Sequence, residues 1–188
     1  MTRTEEAMMK NSTCWMLGIA IGVLLGAGCA GEGGDEEDNG VGDAEAQIEA
    51  TGAILIAGEA DFELEDDGTV SAQVEVEGAP PGVHGVHIHE VGDCGNAGMN
   101  AGDHWNPEGV DHGMPGSGHL GDLGNMTVAD DGIGTLEMVS AAWTVGDGAE
   151  TDLMGLAVII HAGEDDFGQP TGNAGERIGC GIIEPDLD

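Results

Sequence analysis

Residues 82–122 read GVHGVHIHEVGDCGNAGMNAGDHWNPEGVDHGMPGSGHLGD and hold six of the chain's seven histidines: His84, His87, His89, His104, His112 and His119. The seventh, His161, ends the apolar run 156–161. Imidazole is the commonest protein metal ligand, so this concentration points first to a metal site. The pattern also bears on the fold. In residues 83–89 apolar and histidine side chains alternate, and alternate side chains of a strand share a face. His87 and His89 therefore point one way, and Val86 and Ile88 point the other, toward a core. His84 has the parity of the valine, which predicts a structural histidine rather than a ligand.

Outward from this stretch, no helical period is sustained from residue 47 onward. Strands are expected at 53–57, 60–65, 70–77, 83–89, 124–129, 134–139, 156–161 and 178–183. TVSAQVEVE at 69–77 has the period of two of a half-buried antiparallel strand. Asp66-Asp67-Gly68 and Asp130-Asp131-Gly132 carry hairpin-turn chemistry. About eight short strands with such turns predict an all-β, eight-stranded antiparallel Greek-key barrel or sandwich. Residues 91–123 and 162–176 are long, polar and Gly-rich, and loops of that length in a domain are commonly functional.

The N-terminal region reads differently. Residues 1–28 combine Arg3 and Lys10 with an uncharged apolar run, 14–27, too short for the ~20 residues of a transmembrane helix. A signal peptide is expected. LGAGCAG at 25–31 resembles a bacterial lipoprotein signal with lipidation at Cys29, and cleavage after Ala30 is the alternative. Residues 29–46 are acidic and Gly-rich and are expected to be a flexible linker, leaving 47–188 as the folded domain. Export leaves Cys94 and Cys180, which favours one disulfide between them. By the loop-entropy model such a bridge contributes ~4 kcal/mol.

The formal net charge is −34, from 37 acidic and three basic residues. Beyond the N-terminal region Arg177 is the sole basic side chain. This excludes nucleic acid, which is held by Lys and Arg, and excludes direct binding to anionic membranes. A lipid anchor at Cys29 is the one membrane association expected.

His87 and His89 on one strand face make a two-ligand half-site. His104, His112, His119, Asp122 and His161 bring the candidates to seven, too many for one ion, so two ions are expected. Imidazole and carboxylate donors suit copper and zinc, and the lack of thiolates argues against a zinc-finger type of site.

Five segments together resemble the copper–zinc superoxide dismutase family across about residues 50–184. They are GVHGVHIHE at 82–90, GDHWNP at 102–107, HLGDLGN at 119–125, VIIH at 158–161 with Asp165-Asp166, and PTGNAGERIGCG at 170–181. The resemblance implies copper on His87, His89, His104 and His161. It implies zinc on His104, His112, His119 and Asp122, so His104 would be the shared imidazolate. Asp165 would join a copper histidine to a zinc histidine, and Cys94–Cys180 would be the family's disulfide. Arg177 and Thr171 would flank the copper channel, with Arg177 and His104 in catalytic roles on superoxide. Family members occur as monomers and as homodimers. A non-catalytic copper-binding or delivery module on the same fold is the alternative function.

Two departures matter. Only seven positions separate His112 from His119, a short zinc loop. Residues 165–171 are also few and carry no lysine, so no positive field there guides an anion inward.

Overall fold

Strand β3 (Val70–Glu77) buries Val70, Ala72, Val74 and Val76 and exposes the residues between them, as its alternation requires. The other strands assemble around the same core. A computed structural model describes residues 42–187. In it β1 (Ala44–Ala50), β2 (Ala57–Leu64), β3, β4 (Gly82–His89), β5 (Asp122–Val128), β6 (Gly134–Ser140), β7 (Ala157–His161) and β8 (Arg177–Ile182) run antiparallel to their neighbours. Their order is β2-β3-β6-β5-β4-β7-β8-β1, and pairing of β1 with β2 closes the barrel. A two-residue strand, β9 (Glu184–Pro185), adds to β1. The β3–β6 and β4–β7 pairings are the crossovers of a Greek key. One short 3-10 turn, Met99–Ala101, is the sole helical element among the described residues, and none of these has a helix long and apolar enough to cross a membrane.

The first strand lies elsewhere than the sequence suggested. The apolar run 53–57 is not a strand of its own: residues 53–56 lead into β2, which begins at Ala57, with Leu55 exposed and Ile56 buried. Strand β1 instead takes AEAQIEA, whose first three residues fell in the expected linker. Ala44, Ala46 and Ile48 face the core between outward Glu45, Gln47 and Glu49. The two-residue period was present but masked by small and acidic residues. The remaining strands form within a few residues of expectation, and the long loops are 90–121, 141–156 and 162–176. The expected signal peptide, Cys14, Cys29 and the rest of the expected linker up to residue 41 lie outside the described residues.

Two irregularities shape the site end of the barrel. Val86 pairs with Gly124 but His87 pairs with Asp122, so Leu123 is an extra residue on β5. Likewise Ile160 pairs with Gly179 but His161 with Arg177, which makes Ile178 extra on β8. Leu123 and Ile178 both turn into the core. A bulge re-aims the residue beside it. Here the bulges set Asp122 opposite His87 and Arg177 opposite His161.

Candidate metal centre

The β4 parity holds in three dimensions. Val86 and Ile88 join the barrel core with Val158 and Ile160 of β7. His87 and His89 face away from it, under the long loops, and His161 ends β7 beside them. His104 reaches this cluster by extending the sheet: it bridges His89, and the Trp105 N–H donates to the Ile88 carbonyl at 2.9 Å. His84 is buried but stands apart. Its ring nitrogens lie 2.8 Å from the His161 carbonyl and 2.7 Å from the Pro80 carbonyl, the structural role expected of it.

Two compact four-residue donor groups result, and a third, His87, His112 and Asp165, lies between them. His87, His89, His104 and His161 offer ring nitrogens within 4.8 Å of one another, and so do the donor atoms of His104, His112, His119 and Asp122. His104 belongs to both. Its ring lies 4.0 Å, centroid to centroid, from that of His87 and 5.3 Å from that of His112.

Hydrogen bonding fixes which nitrogen of each ring is free. A carbonyl or an ionised carboxylate can only accept, so the ring nitrogen facing it carries the proton. His89 Nδ1 donates to the Gly102 carbonyl at 3.0 Å, and His161 Nδ1 to the Gly175 carbonyl at 3.2 Å. His87 Nε2 donates to Asp165 Oδ2 at 2.8 Å, and His112 Nε2 to Asp165 Oδ1 at 3.0 Å. The opposite nitrogens, His87 Nδ1, His89 Nε2, His161 Nε2 and His112 Nδ1, are buried with no hydrogen bond, as is His119 Nδ1. His112 Nδ1 and His119 Nδ1 lie 2.9 and 3.2 Å from Asp122 oxygens but out of hydrogen-bonding alignment. Buried polar atoms are rarely left unpaired, and a cluster of such lone pairs is what a cation would satisfy. The donors therefore fit metal ions at both groups. Nitrogen with one carboxylate suits zinc, and four imidazoles suit copper.

The electrostatics agree. Burial holds His87, His89, His161 and His119 neutral: His89 is lowered to about 2 and His161 to about 3. Neutral imidazole is the form that ligates. Burial alone would raise Asp122, but bonds from His104, the Gly113 N–H and the His119 N–H outweigh it and lower the carboxyl to about 2. Burial opposes the charge of Asp165 in the same way. Bonds from His87, His112 and the Phe167 N–H hold that carboxyl far below its usual range.

Arg177 opens β8 half-buried. Its Nη1 and Nη2 each donate at 2.6 Å, to the carbonyls of Gly98 and Gly102. Gly102 thus holds both Arg177 and His89. Cys94 and Cys180 form the expected disulfide, with Cα atoms 5.7 Å apart, pinning the start of this same loop to β8. Thr171 is exposed.

Several supporting residues escaped sequence reasoning. Asn125 exchanges two bonds with the backbone of Asp165: its Nδ2 donates to the Asp165 carbonyl at 2.9 Å and its Oδ1 accepts from the Asp165 N–H at 2.8 Å. Gln169 does the same for His112. Gly172, at φ 72°, passes so close to Asp165 that a Cβ there would run into the carboxylate. Asn125 and Gly172 lie within the quoted segments, but nothing in the sequence joins either to Asp165.

Residues 56–183 match the family model of copper/zinc superoxide dismutase (SODC). Among solved structures, the crystal structure of the clock protein EA4 matches with a TM-score of 0.70 and 32% sequence identity. The match covers 78% of this chain and 96% of that one. With the matched family model spanning both donor groups, the disulfide and Arg177, the chain belongs to the copper/zinc superoxide dismutase family.

Proposed function

We propose that this protein dismutates superoxide: two superoxide ions and two protons give dioxygen and hydrogen peroxide. Copper is assigned to His87, His89, His104 and His161, and zinc to His104, His112, His119 and Asp122. The observation that carries the reading is His104, one imidazole belonging to two donor groups beside a half-buried arginine. Copper, when bound, supplies one-electron exchange, and zinc supplies fixed charge without redox chemistry. His104 would carry the transferable proton on the ring nitrogen nearer His87, His89 and His161 only while that nitrogen is not engaged in holding copper. Its Nδ1, 3.0 Å from Asp122 Oδ1, keeps the ring from turning. Arg177 commits two N–H groups to Gly98 and Gly102 and keeps others for an incoming anion, a charge-assisted contact.

The test is superoxide loss by the purified protein loaded with both metals. Catalysed loss, with copper and zinc each near one per chain, supports the assignment. Both metals bound without activity would overturn the enzyme and leave a copper-binding module. The surrounding net charge is −34, so long-range forces repel the substrate. Screening over ~8 Å at physiological ionic strength removes that repulsion, so the rate is expected to stay flat or rise with salt.

The disulfide supports an oxidising, exported location. Anchoring through Cys29 is part of the same proposal, and mass spectrometry of the native N-terminus checks it: a diacylglycerol-modified cysteine supports it, and an unmodified terminus refutes it.

A further inference from the structure

His112 lies in a loop, outside every strand ladder, yet it carries one end of the second donor group. Its backbone is held by a single side chain from 57 residues away: Gln169 Nε2 donates to the His112 carbonyl at 2.7 Å, and the His112 N–H donates to Gln169 Oε1 at 3.2 Å. A carboxamide has a donor and an acceptor in one plane, so it pairs with a peptide as a neighbouring strand would. The same short segment supplies Asp165, whose Oδ1 takes the His112 ring N–H at 3.0 Å. Asp165 is itself fixed by Asn125. Residues 165–171 thus grip His112 at backbone and ring, leaving its buried Nδ1 aimed toward Asp122.

We infer that Gln169 is a positioning residue for the His112 arm of the zinc donor set, so that zinc affinity depends on the Gln169 amide more than copper affinity does. The inference rests on the zinc assignment above and deepens it. The asymmetry follows from placement. His87, His89 and His161 stand on paired strands, which the Gln169 amide does not touch. His112 has its backbone orientation set by that amide.

The experiment titrates the metal-free full chain with Zn(II) against a chromophoric chelator, with Co(II) as a spectroscopic stand-in and Cu(II) measured in parallel. Gln169→Met removes both bonds at similar length; Gln169→Glu keeps the acceptor for the His112 N–H and loses the donor. Loss of an outer partner weakens metal binding by roughly 10–100-fold, so Gln169→Met is expected to raise the zinc Kd about tenfold and Gln169→Glu less. The Co(II) absorption bands shift in both variants, and Cu(II) affinity changes by under about twofold, since no copper ligand loses a partner. A zinc Kd for Gln169→Met within about twofold of the parent, well under the outer-partner range, would overturn the inference. So would equal weakening of zinc and copper with an unshifted Co(II) spectrum, which is what a merely fold-stabilising contact would give. A parent chain that binds no zinc would overturn the inference together with the zinc assignment, and is distinguished by that measurement alone.

Discussion

His87, His89 and His161 stand on β4 and β7, whose ladder bonds and buried Val86, Ile88, Val158 and Ile160 set their directions. His112 and His119 stand on a loop. Their directions come from side chains that bond to backbone: Asp122 Oδ2 accepts from the Gly113 and His119 N–H groups at 3.0 and 2.9 Å, and Gln169 holds His112. Asn106, bonded in both directions to Val110, ties down the loop's start. One half of the centre is therefore built by the fold, and the other is built by a few polar contacts on top of it.

The sharpest way to break this contrast is Asp122→Ala. It removes a zinc donor and strands the buried His119 N–H, worth about 1–3 kcal/mol when unsatisfied, and the part-buried Gly113 N–H, worth less. Zinc retention is expected to fall by more than the roughly 10–100-fold typical of outer partners, while copper, which keeps three strand-borne ligands and loses only the anchor of His104, weakens far less. Metal analysis after dialysis checks it. Equal loss of both metals would erase the distinction. Next in size is Arg177→Leu. Losing a charge-assisted contact of about 1.5–3 kcal/mol slows superoxide loss roughly 10–100-fold with both metals retained. An unchanged rate would remove Arg177 from the mechanism.

A smaller effect separates the halves by pH in the metal-free protein. Burial depresses His89 to about 2 and His161 to about 3, while the unfolded chain titrates near the ordinary histidine value. The unfolded state therefore binds protons first. Stability is fully present above about pH 6.5 and is lost as pH falls toward 3 and then 2. Denaturant midpoints between neutral and acid pH check this, and His89→Gln is expected to flatten the slope. A midpoint independent of pH in that window would contradict the burial argument.

The smallest effect lies on the barrel wall. In the β1–β2–β3 register Glu45 sits opposite Asp61, and Glu59 opposite Glu75. The Asp61 carboxyl is pushed up by partial burial and then by Glu59, Glu45, Glu63 and Asp186. Like charges paired across strands cost about 0.2–1 kcal/mol each, and salt screens them. The melting temperature is expected to rise with salt, and less steeply in Glu59→Gln. A slope that Glu59→Gln leaves unchanged would show that the pairing contributes nothing.

The same contrast explains what the sequence made legible. Strand-borne features follow local rules: the alternation at 70–77, the parity that separates His84 from His87 and His89, and the Asp-Gly turns could all be read locally. Strand β1 was hidden because small alanines and glutamates weaken its contrast, while the apolar run 53–57 is the more hydrophobic stretch beside it. The donor residues were visible through their chemistry and the family resemblance. Gln169 and Asn125 were not, because their bonds join residues 57 and 40 positions apart and have no local signature. The bulges at Leu123 and Ile178 were equally invisible, since a bulge is a property of two paired strands.

The central claim is that one imidazole joins the two halves. The direct test is parallel copper and zinc titration of His104→Ala, His89→Ala and His119→Ala in the metal-free protein. The account predicts that His104→Ala weakens both metals, His89→Ala mainly copper and His119→Ala mainly zinc. If His104→Ala weakened only one metal and left the other at its parent affinity, the shared-ligand account would be wrong.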